Sequence, residues 1–211
     1  MQRLEVFADI TCPFTHVGLK KVLQQLEAAS STVEVIVRAW PLEWVNGSGL
    51  AAGPVAEKVA VLRHDLGVAD FDGFRAETWP DTTIPALNLA SAAYEQDAAT
   101  GLRVSVALRA ALFEEGQDIS DPEVLESVAT SCGLSDRSTR STTISPTNGA
   151  TPAVEADYAE GQRRGVRGSP DFWVGSEEFF CPSLSLSHTE AGALNAEFDG
   201  AGLAEFVARI A

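Results

Sequence analysis

The chain opens on an alternation. Leu4, Val6 and Ala8 interleave with Glu5, Phe7 and Asp9, a period of two that predicts a short β-strand. From Pro13 the period changes. Leu19, Val22, Leu23 and Leu26 recur at i, i+3, i+4 and i+7, the stripe of a helix facing a core, and Pro13 suits its first position, where no amide hydrogen is needed. Residues 33–40 are rich in Val and Ile and predict a second strand, ended by Pro41. Strand, helix, strand in succession is a βαβ unit with parallel strands.

A block of helices follows, with no strand signal. Val55, Val59, Leu62 and Leu66 lie on one face behind Pro54, with Gly67 as a stop. Residues 85–98 are rich in Ala and Leu, and Val104, Ala107, Leu108, Ala111 and Leu112 keep helical register. Asp121-Pro122 supplies an N-cap and a first-turn proline. Val124, Leu125, Val128, Ala129 and Cys132 share one face of that helix, with Gly133 at its C-cap. Residues 135–149 are about half Ser or Thr and predict either an exposed loop or a poorly ordered connection. Pro152 restarts a helix through Tyr158 to Arg164. The β signal then returns: residues 171–174 and 178–181 flank Gly175-Ser176, a hairpin. Leu203, Phe206, Val207 and Ile210 form a last amphipathic helix. The fold class is α/β.

Composition narrows the function. The 211 residues carry 15 Lys plus Arg against 30 Asp plus Glu, a net charge of −15. That argues against nucleic acid as a partner and against anionic membrane surfaces. No segment approaches the ~20 apolar residues of a membrane span. The N-terminus reads directly as a strand, with neither a long apolar stretch nor a small-residue cleavage site, so a cytoplasmic location is expected. The 3 cysteines are too few and too scattered for a disulfide framework and read as free thiols.

Cys12 stands between the first strand and the first helix. There it faces unpaired helix amides and the positive end of the helix dipole, which favour thiolate. A small buried hydrophobe at a strand end is the plainer role for such a residue. His16 follows at i+4 on about the same helical face. It would favour thiolate as imidazolium, or accept a proton when neutral.

The run Asp9-Ile10-Thr11-Cys12-Pro13-Phe14-Thr15-His16-Val17-Gly18 resembles the active-site segment of the DsbA-like thioredoxin-fold oxidoreductases. It is closest to their FrnE-like branch, which is related to the 2-hydroxychromene-2-carboxylate isomerases. The likeness continues from Arg109 to Asp121 (RAALFEEGQDISD) and from Arg164 to Pro170 (RGVRGSP). It implies a thioredoxin fold, β-α-β then β-hairpin-α, with an all-helical insertion. The expected division is residues 1–50 plus 166–211 for the thioredoxin-like part and 51–165 for the inserted helical domain. It also implies a cis-proline loop at Ser169-Pro170 facing Cys12.

One departure matters most. Where the family has its second active-site cysteine, this chain has Thr15. A threonine cannot resolve a mixed disulfide, though its hydroxyl could donate to the Cys12 sulfur. The expected chemistry is therefore monothiol, with Cys12, Pro13, Thr15 and His16 as the catalytic segment. At His16 the family usually has an aromatic, so a ring simply filling that space is the competing role. Substrate or thiol contacts fall to Phe14, Ser169 and Pro170; a turn residue is the plainer role for Ser169.

Three functions follow. The first is a thiol–disulfide oxidoreductase working through one reactive cysteine. The second is an isomerase or transferase that uses a low-molecular-weight thiol such as glutathione or an equivalent. The third is a redox-inactive binding protein. Partners are a small-molecule thiol or disulfide, or a peptide disulfide, with a homodimer left open. Cys132 is expected in the core. In the fold the resemblance implies, Cys181 ends a sheet-edge strand two strand spacings from Cys12, about 10 Å away, beyond the ~7 Å between Cα atoms that a disulfide spans. A structural role is expected for it. His64, on a helix among charges, and His188, in a Ser-rich loop, form no metal-ligand spacing with the cysteines, so no zinc or other metal is expected. An aromatic cleft built from Trp40, Trp44 and Trp79 would indicate an apolar small-molecule substrate.

Overall fold

The structure, a computed structural model, describes residues 2–134, 149–190 and 192–210. Strand β1 (Arg3–Ala8), helix α1 (Pro13–Ala28) and strand β2 (Glu34–Ala39) form the expected unit. β1 and β2 run parallel, with Arg3 opposite Glu34 and Ala8 opposite Ala39. The hairpin of β3 (Asp171–Val174) and β4 (Glu177–Phe180) turns at Gly175, whose φ of 60° suits a residue without a side chain. β3 lies antiparallel to the other edge of β1, giving the order β2-β1-β3-β4. β1 is thus central. Every residue from Leu4 to Ala8 is buried, so Phe7 is core although the alternation set it opposite Leu4 and Val6.

Between β2 and β3 run α2 (Leu42–Asn46), α3 (Ala52–Leu66), a 3₁₀ turn (Ala76–Thr78), α4 (Ile84–Gln96), α5 (Ala98–Phe113), α6 (Pro122–Ser131) and α7 (Pro152–Arg164). Their ends follow the local chemistry. Asp97 and Asp121 accept from the amides of Thr100 and Glu123, while Gly67 and Gly165 close helices with positive φ. Of the Ser/Thr-rich connection, residues 135–148 lie outside those described. None of the described helices is long and apolar enough to cross a membrane.

The inserted helices share a core with the thioredoxin-like part. Val59, Leu62, Leu108 and Leu112 belong to one buried cluster with Ile10, Val17, Ala39 and Cys181. A second cluster joins β1 and α1 to α8 (Gly200–Ile210) through Leu4, Leu19, Val22, Phe172 and Phe206. α7 is fastened to the sheet by charge. Arg38 pairs with Glu5 and with Asp157, which also accepts from the Ala39 amide, and Arg164 pairs with Glu5. Gly161 allows that approach, because a Cβ there would meet the Trp40 ring at 2.5 Å.

Two expectations are corrected. His188 is not in a loop: β5 (Leu184–His188) and β6 (Leu194–Phe198) form a separate antiparallel pair. Cys132 is not core. α6 ends at Ser131, leaving Cys132 as its half-buried C-cap.

Candidate active site

Asp9, the residue after β1, builds the turn that presents Cys12. Its Oδ1 accepts from the Thr11 amide (2.8 Å) and hydroxyl (2.6 Å), an Asx-turn that swings the chain from strand to helix. Its Oδ2 accepts from the Leu42 amide and the Thr83 hydroxyl, tying the turn to the inserted helices. Burial raises the Asp9 carboxyl above the ordinary carboxylate range, against these donors. Cys12 then becomes the N-cap of α1, with Pro13 at the first helical position.

Opposite stands the loop before β3, where the Ser169–Pro170 peptide bond is cis. The Cys12 thiol donates to the Ser169 carbonyl at 2.9 Å. The Ser169 hydroxyl oxygen accepts from the Asp9 amide at 3.0 Å and lies 2.9 Å from the Thr15 hydroxyl. Ser169 therefore links Cys12, Thr15 and Asp9. The structure brings Cys12, Pro13, Thr15, Ser169 and Pro170 together, but with Cys12 only 3% exposed.

Two of the expected roles change. The Thr15 hydroxyl, fully buried, is hydrogen-bonded to Ser169 rather than to the Cys12 sulfur. His16 does not direct its ring at Cys12. The ring stacks on Phe113 at 5.1 Å and meets the edge of Phe71 at 5.4 Å. Its Nε2 lies 3.1 Å from the Asp70 carbonyl and 3.3 Å from a Glu114 carboxylate oxygen. Burial pulls its pKa down to about 4, against the pull of Glu114, so the imidazole is neutral at pH 7. His16 fills the aromatic space. Its Nε2 and the Asp70 and Glu114 carboxylates cluster as metal ligands would, yet the Lys20 ammonium donates to both carboxylates and is the cation among them.

A pH effect follows from His16. Unfolding restores a pKa near 6.5, so the unfolded chain binds the extra proton between about pH 6.5 and 4. The folded chain does not, and stability falls as pH drops through that window. The expected loss attributable to His16 is on the order of 2–3 kcal/mol. Urea unfolding at pH 7 and pH 4.5 checks this: His16→Phe should lose less stability on acidification than the wild type.

The remaining candidates disperse. Phe14 is half-buried and borders an open groove of about 590 Å³ between α3 and the β5–β6 pair, with Val61, Leu186 and Leu194. Cys181 follows β4 at a φ of 48° and is buried. Burial pushes its thiol up to about 12, with the Cys12 charge adding to the shift, so it is protonated at neutral pH. All three cysteines are free. The tryptophans do not form one cleft: Trp40 and Trp44 pack on Tyr158, whereas Trp79 packs on Phe74 and Phe113. His64 is exposed beside Asp65.

Asp9 and Arg109 were not among the expected site residues. Asp9 had a local signal, a carboxylate two residues before the Thr11 amide it caps. Arg109 opened a stretch of the family likeness, but nothing local tied it to Asp9, which lies 100 residues away.

The fold and turn geometry agree with the family comparison: the model of the DSBA-like thioredoxin domain matches residues 3–190. The chain belongs to that family. Among solved structures, this DSBA-like protein resembles the probable DsbA oxidoreductase of Streptomyces coelicolor at 21% identity. The match covers 85% of this chain and 83% of that one, with a TM-score of 0.61. The cytosolic disulfide reductase DsbM of Pseudomonas aeruginosa matches at 16% identity over 98% and 96% of the two chains, TM-score 0.58. A 2-hydroxychromene-2-carboxylate isomerase matches at 17% over 84% and 88%, TM-score 0.53. At such identities the likeness is one of fold. A comparison with curated protein sequences gave no match.

Proposed function

We propose that this protein is a thiol–disulfide oxidoreductase that works through the single cysteine Cys12. The observation that carries the reading is the placement of that thiol, at the N-cap of α1 and hydrogen-bonded to the carbonyl preceding a cis-proline. Cys12 first gives its proton to solvent. The thiolate attacks one sulfur of a disulfide, forming a Cys12–substrate disulfide, and the second substrate sulfur leaves as a thiolate that takes up a proton. An external small thiol, as thiolate, then attacks the substrate sulfur and expels Cys12. The external thiol supplies the electron pair, and the net change is exchange of one thiol for another.

In the resting site the Cys12 thiol donates to the Ser169 carbonyl. A substrate backbone N–H docking on that carbonyl, as in strand addition, would displace the thiol and open it to attack. A cytoplasmic location, where small thiols are abundant, belongs to this proposal. The burial of Cys12 favours a second reading, in which a bound small thiol is the reacting group and Cys12 only lines its site, as in a thiol-dependent isomerase or transferase.

The Thr15→Cys variant tests the monothiol step. The wild type should hold a mixed disulfide at Cys12 until an external thiol is added. Thr15→Cys should release it unaided within minutes, leaving an intramolecular disulfide visible as a 2 Da mass loss (roughly two hydrogens). Equal persistence of the mixed disulfide in both proteins would oppose the proposed geometry.

A further inference from the structure

Thr15 is fully buried in the first turn of α1. A helical threonine ordinarily turns its hydroxyl to the carbonyl three or four residues back. This one bonds instead to the Ser169 hydroxyl, at 2.9 Å and across 154 residues. Ser169 is half-buried in the loop before β3. The base of that loop is closed by Asp171, whose Oδ2 accepts from the Arg167 amide at 3.0 Å. Its tip is fastened to the Cys12 turn. The Ser169 hydroxyl oxygen accepts from the Asp9 amide at 3.0 Å, and the Ser169 carbonyl accepts from the Cys12 thiol at 2.9 Å.

The two sides of this contact are anchored unequally. Asp9 is tied into the core. Its carboxylate accepts from Thr11, Leu42 and Thr83, and its carbonyl accepts from Arg109 of α5 at 3.2 Å. At Ser169 the hydrogen bonds among the described residues are those to Cys12, Thr15 and Asp9. The loop tip is therefore the member free to move. It has to move, because Cys12 at 3% exposure cannot meet the sulfur of a disulfide as the site stands. The thiol gives up its bond to Ser169 in any attack, since it must lose its proton. The Asp9 bond starts from backbone. The Thr15 bond is the one that the side chain at its position decides.

We infer that Thr15 is a positioning residue that latches the Ser169 loop over Cys12. Acting through the Ser169 hydroxyl, it holds the Ser169 carbonyl on the thiol and sets how often the site opens. Thr15 cannot resolve a mixed disulfide, and its task is control of access to the sulfur. The inference deepens the oxidoreductase reading and rests on it for Cys12 as the reacting thiol.

The test is the rate of Cys12 alkylation by iodoacetamide at neutral pH, resolved by peptide mass spectrometry in the folded protein. Thr15→Val keeps the shape and removes the hydroxyl, and should raise the rate about tenfold. Thr15→Ser keeps the hydroxyl and should stay within about twofold of wild type. A role in packing alone predicts the reverse order, with Thr15→Val mild and Thr15→Ser disturbed, and that result overturns the inference. Ser169→Ala should raise the rate at least as much as Thr15→Val. In the double variant Thr15→Val should add nothing, because its partner is already gone. Effects that multiply instead would show that Thr15 acts elsewhere and would also overturn it. Should Thr15→Val not fold, Ser169→Ala still decides. Faster alkylation, with faster hydrogen exchange at the Asp9 amide, supports the latch, and an unchanged alkylation rate overturns it. The oxidoreductase reading fails separately: it fails if neither wild type nor Ser169→Ala takes a mixed disulfide at Cys12 from a small-thiol disulfide, whatever the alkylation rates show.

Discussion

Replacing Cys12 by serine is expected to lower disulfide exchange by about a thousandfold or more, to the uncatalysed background. A serine hydroxyl is hardly ionised at pH 7 and does not attack disulfides, so no mixed disulfide can form. The substitution should be mild structurally, because the hydroxyl can donate to the Ser169 carbonyl as the thiol does. Loss of exchange with an unchanged melting temperature would therefore report chemistry rather than unfolding. The assay is reduction of a small disulfide by a small thiol, with purified wild type and variant side by side. Full turnover in Cys12→Ser would instead place the reacting sulfur on a bound thiol and favour the isomerase or transferase reading.

Phe113→Ala should have the largest effect on stability, a loss of about 3–5 kcal/mol, from removed contacts plus the cavity left behind. Phe113 is fully buried at the end of α5 and touches four rings. Its centroid lies 5.1 Å from His16, 5.4 Å from Phe71, 6.1 Å from Trp79 and 6.2 Å from Phe74. This aromatic group closes the gap between the inserted helices and the first turn of α1. Its loss should loosen the site as well as the fold. Urea unfolding gives the number, and Phe113→Leu, which keeps most of the volume, should cost about 1–2 kcal/mol. A loss below about 1 kcal/mol in Phe113→Ala would show that this packing is not what holds the junction.

The parts legible in the sequence are those written in local periodicity. The β1–α1–β2 unit, the Asp121 cap, the hairpin turn at Gly175 and the last helix all rest on residues a few positions apart. The β5–β6 pair had a signal of the same kind that serine obscured. Leu184 and Leu186 alternate with Ser185 and Ser187, and Leu194, Ala196 and Phe198 alternate with Asn195 and Glu197. That is a period of two with weak polar partners.

The site was legible where the motif is contiguous, at Cys12 and Pro13. Apart from the Ser169–Pro170 loop, which the family resemblance set opposite Cys12, it was not legible where partners come from elsewhere. The hydroxyl hydrogen-bonded to Thr15 is 154 residues away, and the rings around His16 come from positions 71 and 113. Arg109 was hidden for a different reason. α5 buries Val104, Ser105, Leu108, Arg109, Ala111, Leu112 and Phe113, so its sides are mostly covered. A single-face pattern assigns a charge next to Leu108 to the solvent side; only the surrounding helices show otherwise.

The central claim, that Cys12 is the exchanging thiol, is tested most directly by peptide-resolved mass spectrometry of the native protein. The protein is first incubated with the disulfide of a small thiol and then with excess of that thiol. The account predicts one adduct, on the peptide carrying Cys12, that the excess thiol removes completely. An adduct on Cys132 alone, with Cys12 unmodified in the folded protein, would contradict it.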